Sequence, residues 1–260
     1  MQGLSLLGAS VAETTYVFDG NHLHLVDVYE HPIQVADSFL VSDGRVRSFD
    51  KHKNRFNSST EKISTLDLET FWGEVIKLIP REGQVFPRIE LSGDNLVLRL
   101  REPAEFKSSV ALWTADEADS RVDPTTKGPD LAYGASLRRK SNLFGADEAI
   151  FLSPEGYVVE GALSSLVWWQ NDVLYAPDDT TRWLPSVTRM DVFELANQAG
   201  YDTQTTQVEP SDLIGLELWL LSSLSGIRPV VEWVNLGGNV GPQKHLESFQ
   251  RRLKLMASEL

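Results

Sequence analysis

The chain has 260 residues, 42% hydrophobic and 23% charged, with a formal net charge of −13. That length gives one large domain or two small ones a core each, and the acidic field repels phosphate backbones, which excludes general nucleic-acid binding. There is no cysteine, which excludes disulfides, cysteine zinc sites and thiol nucleophiles and fits a reducing cytosol.

The N-terminal stretch "MQGLSLLGASVAETTYVF" has a short apolar part and no basic n-region, so no signal peptide is expected. No run reaches the roughly 18 apolar residues of a membrane span. A cytoplasmic protein with no membrane contact is expected.

In chain order, "HLHLVDV" (22–28) alternates like a strand, and "DSFLVSDGRVRSF" (37–49) reads as a hairpin turning at Asp43-Gly44. A helix should open near Asp50. A second, over 64–80, places Phe71, Val75 and Leu78 at helical spacing and stops at Pro80. Residues 88–102 read as a hairpin turning at Gly93-Asp94, and 108–115 as a strand. The polar, acidic stretch "DEADSRVDPTT" (116–126) carries Pro124 and reads as a linker. It divides the chain into an N-terminal α+β domain (1–115) and a C-terminal α+β domain (127–260).

The second part opens with a helix over 131–143, with Asp130 as N-cap and Gly145 past its end. Two hairpins follow, 148–161 turning at Pro154-Glu155-Gly156 and 165–177 turning at Asn171-Asp172. A helix over 187–199 has Ser186 as N-cap and Gly200 as stop. Strands are expected at 217–224 and 227–234, and a last helix carries Leu246, Phe249, Leu253 and Met256 on one stripe. No internal repeat and no G-x-G-x-x-G fingerprint occurs.

Four places carry candidate chemistry. Lys127 sits in "TTKGPDLAYG", a Pro/Gly-interrupted turn before a helix. Glu160 follows Tyr-Val-Val in "YVVEGALSSLVWW", where a shielded carboxylate needs a partner. "WLPSVTR" (183–189) leads into a helix whose first N–H groups suit a phosphate. "LLSSLSGIRPV" (220–230) sets small and hydroxylic residues between two strands, which suits close approach of an anion. His22 and His24 share a strand face, but no third ligand is in sight, so no metal site is expected. Trp168, Trp169, Trp183 and Trp219 read as core.

Taken in order, K-G-P-D (127–130), "GADEAIFLSPEGYVVEGALSS" (145–165), "LPSVTR" (184–189) and "SSLSGIRPV" (222–230) resemble the class IV aminotransferases, the fold type IV pyridoxal-phosphate enzymes. That family includes branched-chain and D-amino-acid aminotransferases and aminodeoxychorismate lyase. In the first half, "DSFLVSDGRVRSFDKHKNRF" (37–56) resembles the family's hairpin and helix ending in H-x-x-R-[LF]. The resemblance covers most of residues 34 to 230.

It implies a two-domain α+β fold with the active site at the domain interface, pyridoxal 5'-phosphate as cofactor, no metal, and a homodimer. It implies that Lys127 holds the cofactor as an internal Schiff base and that Glu160 bonds the pyridine nitrogen. Arg55 pairs with the phosphate, Val187 and Thr188 cradle it, and Ser223 and Leu224 form the turn on its other side. Leu184 packs against the ring. Arg182, before the cofactor-binding turn, and Arg228, after the small-residue turn, are candidates for a substrate carboxylate.

The sequence departs from the family in three places. "EHPIQVADSFLV" (30–41) replaces a Gly-Asp-Gly-x-Phe-Glu-Thr segment, Ser164-Ser165 replaces Ser-Asn, and Trp168-Trp169 is a bulkier aromatic pair. Three functions stay open. One is an aminotransferase of amino acid metabolism. The second is an aminodeoxychorismate lyase of folate biosynthesis, eliminating pyruvate to leave 4-aminobenzoate. The third is a degenerate module that binds cofactor without turnover.

Overall fold

The computed structural model describes residues 13–260; the expected lack of a signal peptide concerns a stretch lying mostly outside the described residues. The first part runs β1 (Glu13–Phe18), β2 (Leu23–Val26), β3 (Ile33–Ser38), β4 (Val41–Ser42), β5 (Arg45–Arg47), α1 (Phe49–Thr60), α2 (Leu68–Leu78), β6 (Gln84–Val85), β7 (Arg88–Ser92) and β8 (Asn95–Arg101). Then come β9 (Val110–Thr114), α3 (Leu131–Asn142), β10 (Glu148–Leu152), β11 (Val158–Gly161), β12 (Ser165–Gln170), β13 (Val173–Pro177) and α4 (Val187–Gln198). The chain finishes with β14 (Asp202–Thr206), a 3-10 turn (Pro210–Leu213), β15 (Glu217–Ser222), β16 (Gly226–Trp233), α5 (Leu246–Leu255) and β17 (Ala257–Glu259).

The strands form three sheets. One is five-stranded and antiparallel, in the order β2-β1-β8-β7-β3. The second has eight strands in the order β11-β10-β9-β16-β15-β12-β13-β14. A small third sheet, β17-β5-β4-β6, ties the C-terminus back to the first part. Phe56 of α1 and Phe71 and Trp72 of α2 pack with Ile89, Leu96 and Leu98 of the first sheet.

The second sheet is buried on both faces. Leu166 and Trp168 of β12 join Leu218 and Leu220 of β15 in one core cluster. The alternate residues Val167, Trp169, Trp219 and Leu221 join Val192 of α4 and Phe249 and Leu253 of α5 in another. The period-2 pleat sends successive side chains to opposite faces. A strand covered on both faces therefore reads as a continuous apolar run, as in "SLVWW".

The turns follow local chemistry. Asp43 and Gly44 have φ of 50° and 70°, and Asn171 and Asp172 have 51° and 59°. Paired positive φ values match the twist of the strands they join. The Ser186 side chain caps α4 by accepting from the Arg189 N–H at 3.2 Å.

Three expectations change. β9, expected to close the N-terminal domain, pairs in parallel with β10 and β16 inside the second sheet. Asp130 does not cap α3; its carboxylate instead accepts from the backbone N–H groups of Val122 (3.0 Å) and Asp123 (2.9 Å). The stretch 116–126, expected as a linker, is tied to the fold at several points. Asp119 N–H donates to Leu152 O, Pro124 is buried, and the Arg121 side chain is 7% exposed. Within the stretch, Arg121 pairs with Asp119 at 2.7 Å, while Asp116 and Glu117 stay exposed.

Candidate active site

One cavity gathers residues from both parts of the chain. His52 and Arg55 of α1 face Lys127, Glu160, Leu184, Val187, Thr188 and Ser223 across it. These include seven of the eight residues expected to hold the cofactor. The eighth, Leu224, lines two neighbouring cavities.

Lys127 is placed by its backbone. Its carbonyl accepts from Ala36 N–H of β3 at 2.6 Å, which ties the lysine loop to the first sheet. Gly128 has φ of +152°, and a Cβ there would lie 2.8 Å from Gln34 O. Only glycine lets the loop approach β3 this closely. Enclosure by protein pushes the Lys127 amine down to about 8, and Arg55 adds to the effect; Asp37 opposes it. The residue keeps partial exposure through the cavity mouth.

Glu160 ends β11 and is 4% exposed. Its Oε1 accepts from Arg121 Nη1 at 2.6 Å and from Leu184 N–H at 2.9 Å. Burial pushes its carboxyl up, and Arg121 beside it pulls the other way. Arg121 also chelates Asp119 and lies over the Phe151 ring, 4.4 Å from its centroid. The Arg121–Glu160 pair is a buried, hydrogen-bonded ion pair, so removal of one partner strands the other.

Arg55 is oriented by protein partners. Its Nε and Nη2 fork onto Asp37 at 2.7 and 2.9 Å, and Nη1 donates to Pro185 O at 2.9 Å. Asp37 has no exposed surface and also contacts His52 Nδ1 at 2.7 Å. Against burial, the Arg55 guanidinium and the His52 ring beside it hold the Asp37 carboxyl well below the usual range. The guanidinium fork is thus engaged by protein. An anion here would meet Arg55's remaining N–H groups and the first turn of α4.

Val187 and Thr188 open α4 beside that cation. First-turn N–H groups have no intrahelical acceptor and carry the positive end of the helix dipole. A cation, a helix N-terminus, an amine of lowered pKa and a buried carboxylate in one cavity form the donor set that a phosphorylated pyridine aldehyde needs. The residues therefore fit pyridoxal phosphate.

The two substrate candidates lie elsewhere. Arg182 is exposed, 4.0 Å from Asp123, and outside the cavity. Arg228 lines a neighbouring cavity with Glu148. Asp37, His52 and Arg121 were not singled out in the sequence. The signal for Asp37 was a carboxylate in "VADSFLV", where Ser38 is the one other polar residue; Arg121 gave none, because its partner comes from a strand 39 residues away.

A family model, amino-transferase class IV, matches residues 34–233. The chain belongs to the class IV amino-transferases. It is 34% identical to an aminodeoxychorismate lyase of Bacillus subtilis over 97 residues, which is 36% of this chain and 33% of that protein. It is 29% identical to a D-alanine aminotransferase of Bacillus licheniformis over 210 residues, which is 80% of this chain and 71% of that protein. The match to the lyase thus spans about a third of that relative's length.

Among solved structures, the fold IV transaminase CpuTA1 of Curtobacterium pusillum superposes with a TM-score of 0.79 at 19% identity, over 94% of this chain and 97% of that one. A hypothetical aminotransferase of Mycobacterium tuberculosis in its PLP-bound form gives 0.79 at 20%, over 94% and 98%. At these identities the likeness establishes the fold: α+β, fold type IV.

Proposed function

We propose that the Lys127 cavity binds pyridoxal 5'-phosphate and that the protein moves the amino group of an amino acid or amino-chorismate, as an aminotransferase. One observation carries this: a lysine amine lowered to about 8, a buried glutamate, an arginine and a helix N-terminus converge on one cavity. When bound, the cofactor supplies an aldehyde carbon and a ring that accepts electrons from the substrate Cα.

The chain's own residues do the rest. Lys127 Nζ would hold the cofactor, and the same amine, once free, would be the group that moves the proton to and from the substrate Cα. Its lowered pKa leaves a usable neutral fraction near pH 7, whereas an ordinary lysine near ~10.4 leaves almost none. Glu160 would face the ring nitrogen and favour its protonated form, with Arg121 opposing the upward push of burial on the Glu160 carboxyl. Arg55 and the first turn of α4 hold the phosphate, and Leu184 packs against the ring. A homodimer belongs to the same proposal.

The lyase is the second reading, supported by the 34% identity to a Bacillus subtilis aminodeoxychorismate lyase. One experiment separates them. The purified protein is mixed with pyridoxal phosphate, and its near-visible absorbance is compared with that of Lys127→Ala, which must lose the band. The loaded protein is then given aminodeoxychorismate and, separately, pairs of amino and keto acids. Amine exchange supports the transferase; pyruvate with 4-aminobenzoate supports the lyase. A bound cofactor with neither product leaves the non-catalytic module, and no band at all refutes the cofactor site.

A further inference from the structure

Arg47 ends β5 and lies behind the wall of the Lys127 cavity. His52, Thr188 and Ser223 line both that cavity and a narrow cleft at its rear, whereas Arg47 and Asp191 line the cleft and not the cavity. Arg47 Nη2 donates to Ser223 O at 2.8 Å. Gly226 has φ of +68°, and a Cβ there would lie 3.0 Å from Arg47 Nη1. The turn joining β15 to β16 thus leaves bare backbone for the guanidinium to lie against.

Ser48 fixes the chain beside Arg47. It is the N-cap residue of α1, yet its φ is 48° and its side chain does not cap the helix. Its Oγ donates instead to Asp191 of α4 at 2.7 Å, and Lys51 Nζ reaches the same carboxylate at 2.8 Å. A left-handed serine is uncommon, and the forgone cap is a lost hydrogen bond. Both costs fall where the start of α1 docks on the start of α4.

The charges behind the cavity are matched unevenly. Asp191 is 2% exposed and already held by Ser48 and Lys51. The Arg55 fork is taken by Asp37. Arg47 has a carbonyl as partner and forms no ion pair with a carboxylate among the described residues, so its charge is the less neutralised of the two arginines. In the turn, the Ser225 N–H is taken by Ser222 Oγ at 3.1 Å, while the N–H groups of Ser223 and Leu224 meet no acceptor among the described residues. The C=O and N–H of a trans peptide point opposite ways. Holding Ser223 O from the cleft therefore turns the Leu224 N–H away from it.

We propose that Arg47 is a positioning residue for the phosphate end of the Lys127 cavity: through Ser223 O it fixes the Ser223–Leu224 peptide and sets a positive charge behind it, without itself touching the ligand. The proposal rests on the reading that this cavity takes a pyridoxal phosphate. A cation donating to a carbonyl also polarises its peptide, which makes the N–H on the other side a stronger donor to an anion.

The test is calorimetric titration of the cofactor-free protein with pyridoxamine 5'-phosphate and with pyridoxamine. Neither carries an aldehyde, so neither bonds to Lys127, and the ratio of the two affinities isolates the phosphate. The unmodified protein should prefer the phosphorylated form about a hundredfold or more, the effect of two charge-assisted hydrogen bonds. Arg47→Met should cut that ratio about tenfold and leave the affinity for pyridoxamine unchanged. Arg47→Lys, which keeps the charge without the fork, should restore part of the ratio. Where Arg47→Met does not fold, Arg47→Gln, polar and uncharged, carries the same expectation. A loss shared equally by both ligands, the mark of a merely structural role, overturns the proposal, as does a ratio that does not move. Equal binding of the two ligands by the unmodified protein refutes the phosphate site and the role of Arg47 with it. Lys127 is tested separately by the near-visible band with pyridoxal phosphate; absence of the band refutes the bond to Lys127, and the titration still decides Arg47.

Discussion

Replacing Glu148 by glutamine should change how stability depends on pH. The Glu148 carboxyl is 1% exposed, and burial raises it from 4.5 to about 7, with Arg138, Ser164 and Arg228 offsetting only part of the effect. Between these two values the unfolded chain has released its proton while the folded chain still holds one. Stability from this group is therefore highest below pH 4.5, falls as pH rises, and levels off above about 7. The window is 7 − 4.5, about 2.5 pH units, and each unit is worth about 1.4 kcal/mol, so the loss approaches about 3 kcal/mol. Glutamine keeps the shape and does not titrate. Urea unfolding of both proteins at several pH values from about 5 to 8.5 gives the difference in unfolding free energy, from which every other carboxylate cancels. The variant should gain on the unmodified protein by up to about 3 kcal/mol across that range. A difference that stays flat with pH would refute the buried, proton-holding Glu148.

Other outcomes follow from the same structure. Reductive modification of Lys127 in the cofactor-free protein should rise with pH around a midpoint of about 8, not near 10.5, when followed by peptide mass spectrometry. Arg121→Met removes the partner of Glu160, both side chains being under a tenth exposed; it should cost about 3–5 kcal/mol in urea unfolding and weaken cofactor retention. Ser186→Ala loses the α4 cap and should cost about 1 kcal/mol, seen as a lower Tm. Gly134→Ala sets a Cβ 2.5 Å from Ala162 O, a backbone atom that cannot step aside, and should cost about 1–3 kcal/mol by the same measurement.

Much of the local structure was legible in the chain. Asp43-Gly44 and Asn171-Asp172 marked hairpins because few residues accept paired positive φ. Ser186 and Gly200 bracketed α4. Less legible were elements without a pattern of their own. "DTQTT" of β14 has no apolar alternation and becomes a strand only because β13 offers it a parallel edge. β6, two residues long, and β17, three, exist through their partners in the third sheet.

The site divides in the same way. Lys127, Glu160 and the α4 N-terminus were singled out in the sequence through the resemblance to the class IV aminotransferases, and they line one cavity. Asp37 as the holder of Arg55, and Arg121 as the partner of Glu160, were not found. Each depends on a contact between segments 18 and 39 residues apart. Arg182 and Arg228 are neighbours of cofactor-binding turns in sequence, yet the backbone carries one to the surface and the other into the next cavity.

The amino-acid sequence by itself determined most element types and the turn positions, because these depend on side-chain spacing and local dihedral preference. Tertiary structure alone decided which charges neutralise which, and which are left over to meet a ligand. Pairing energy depends on distance and burial, and neither is a property of sequence position.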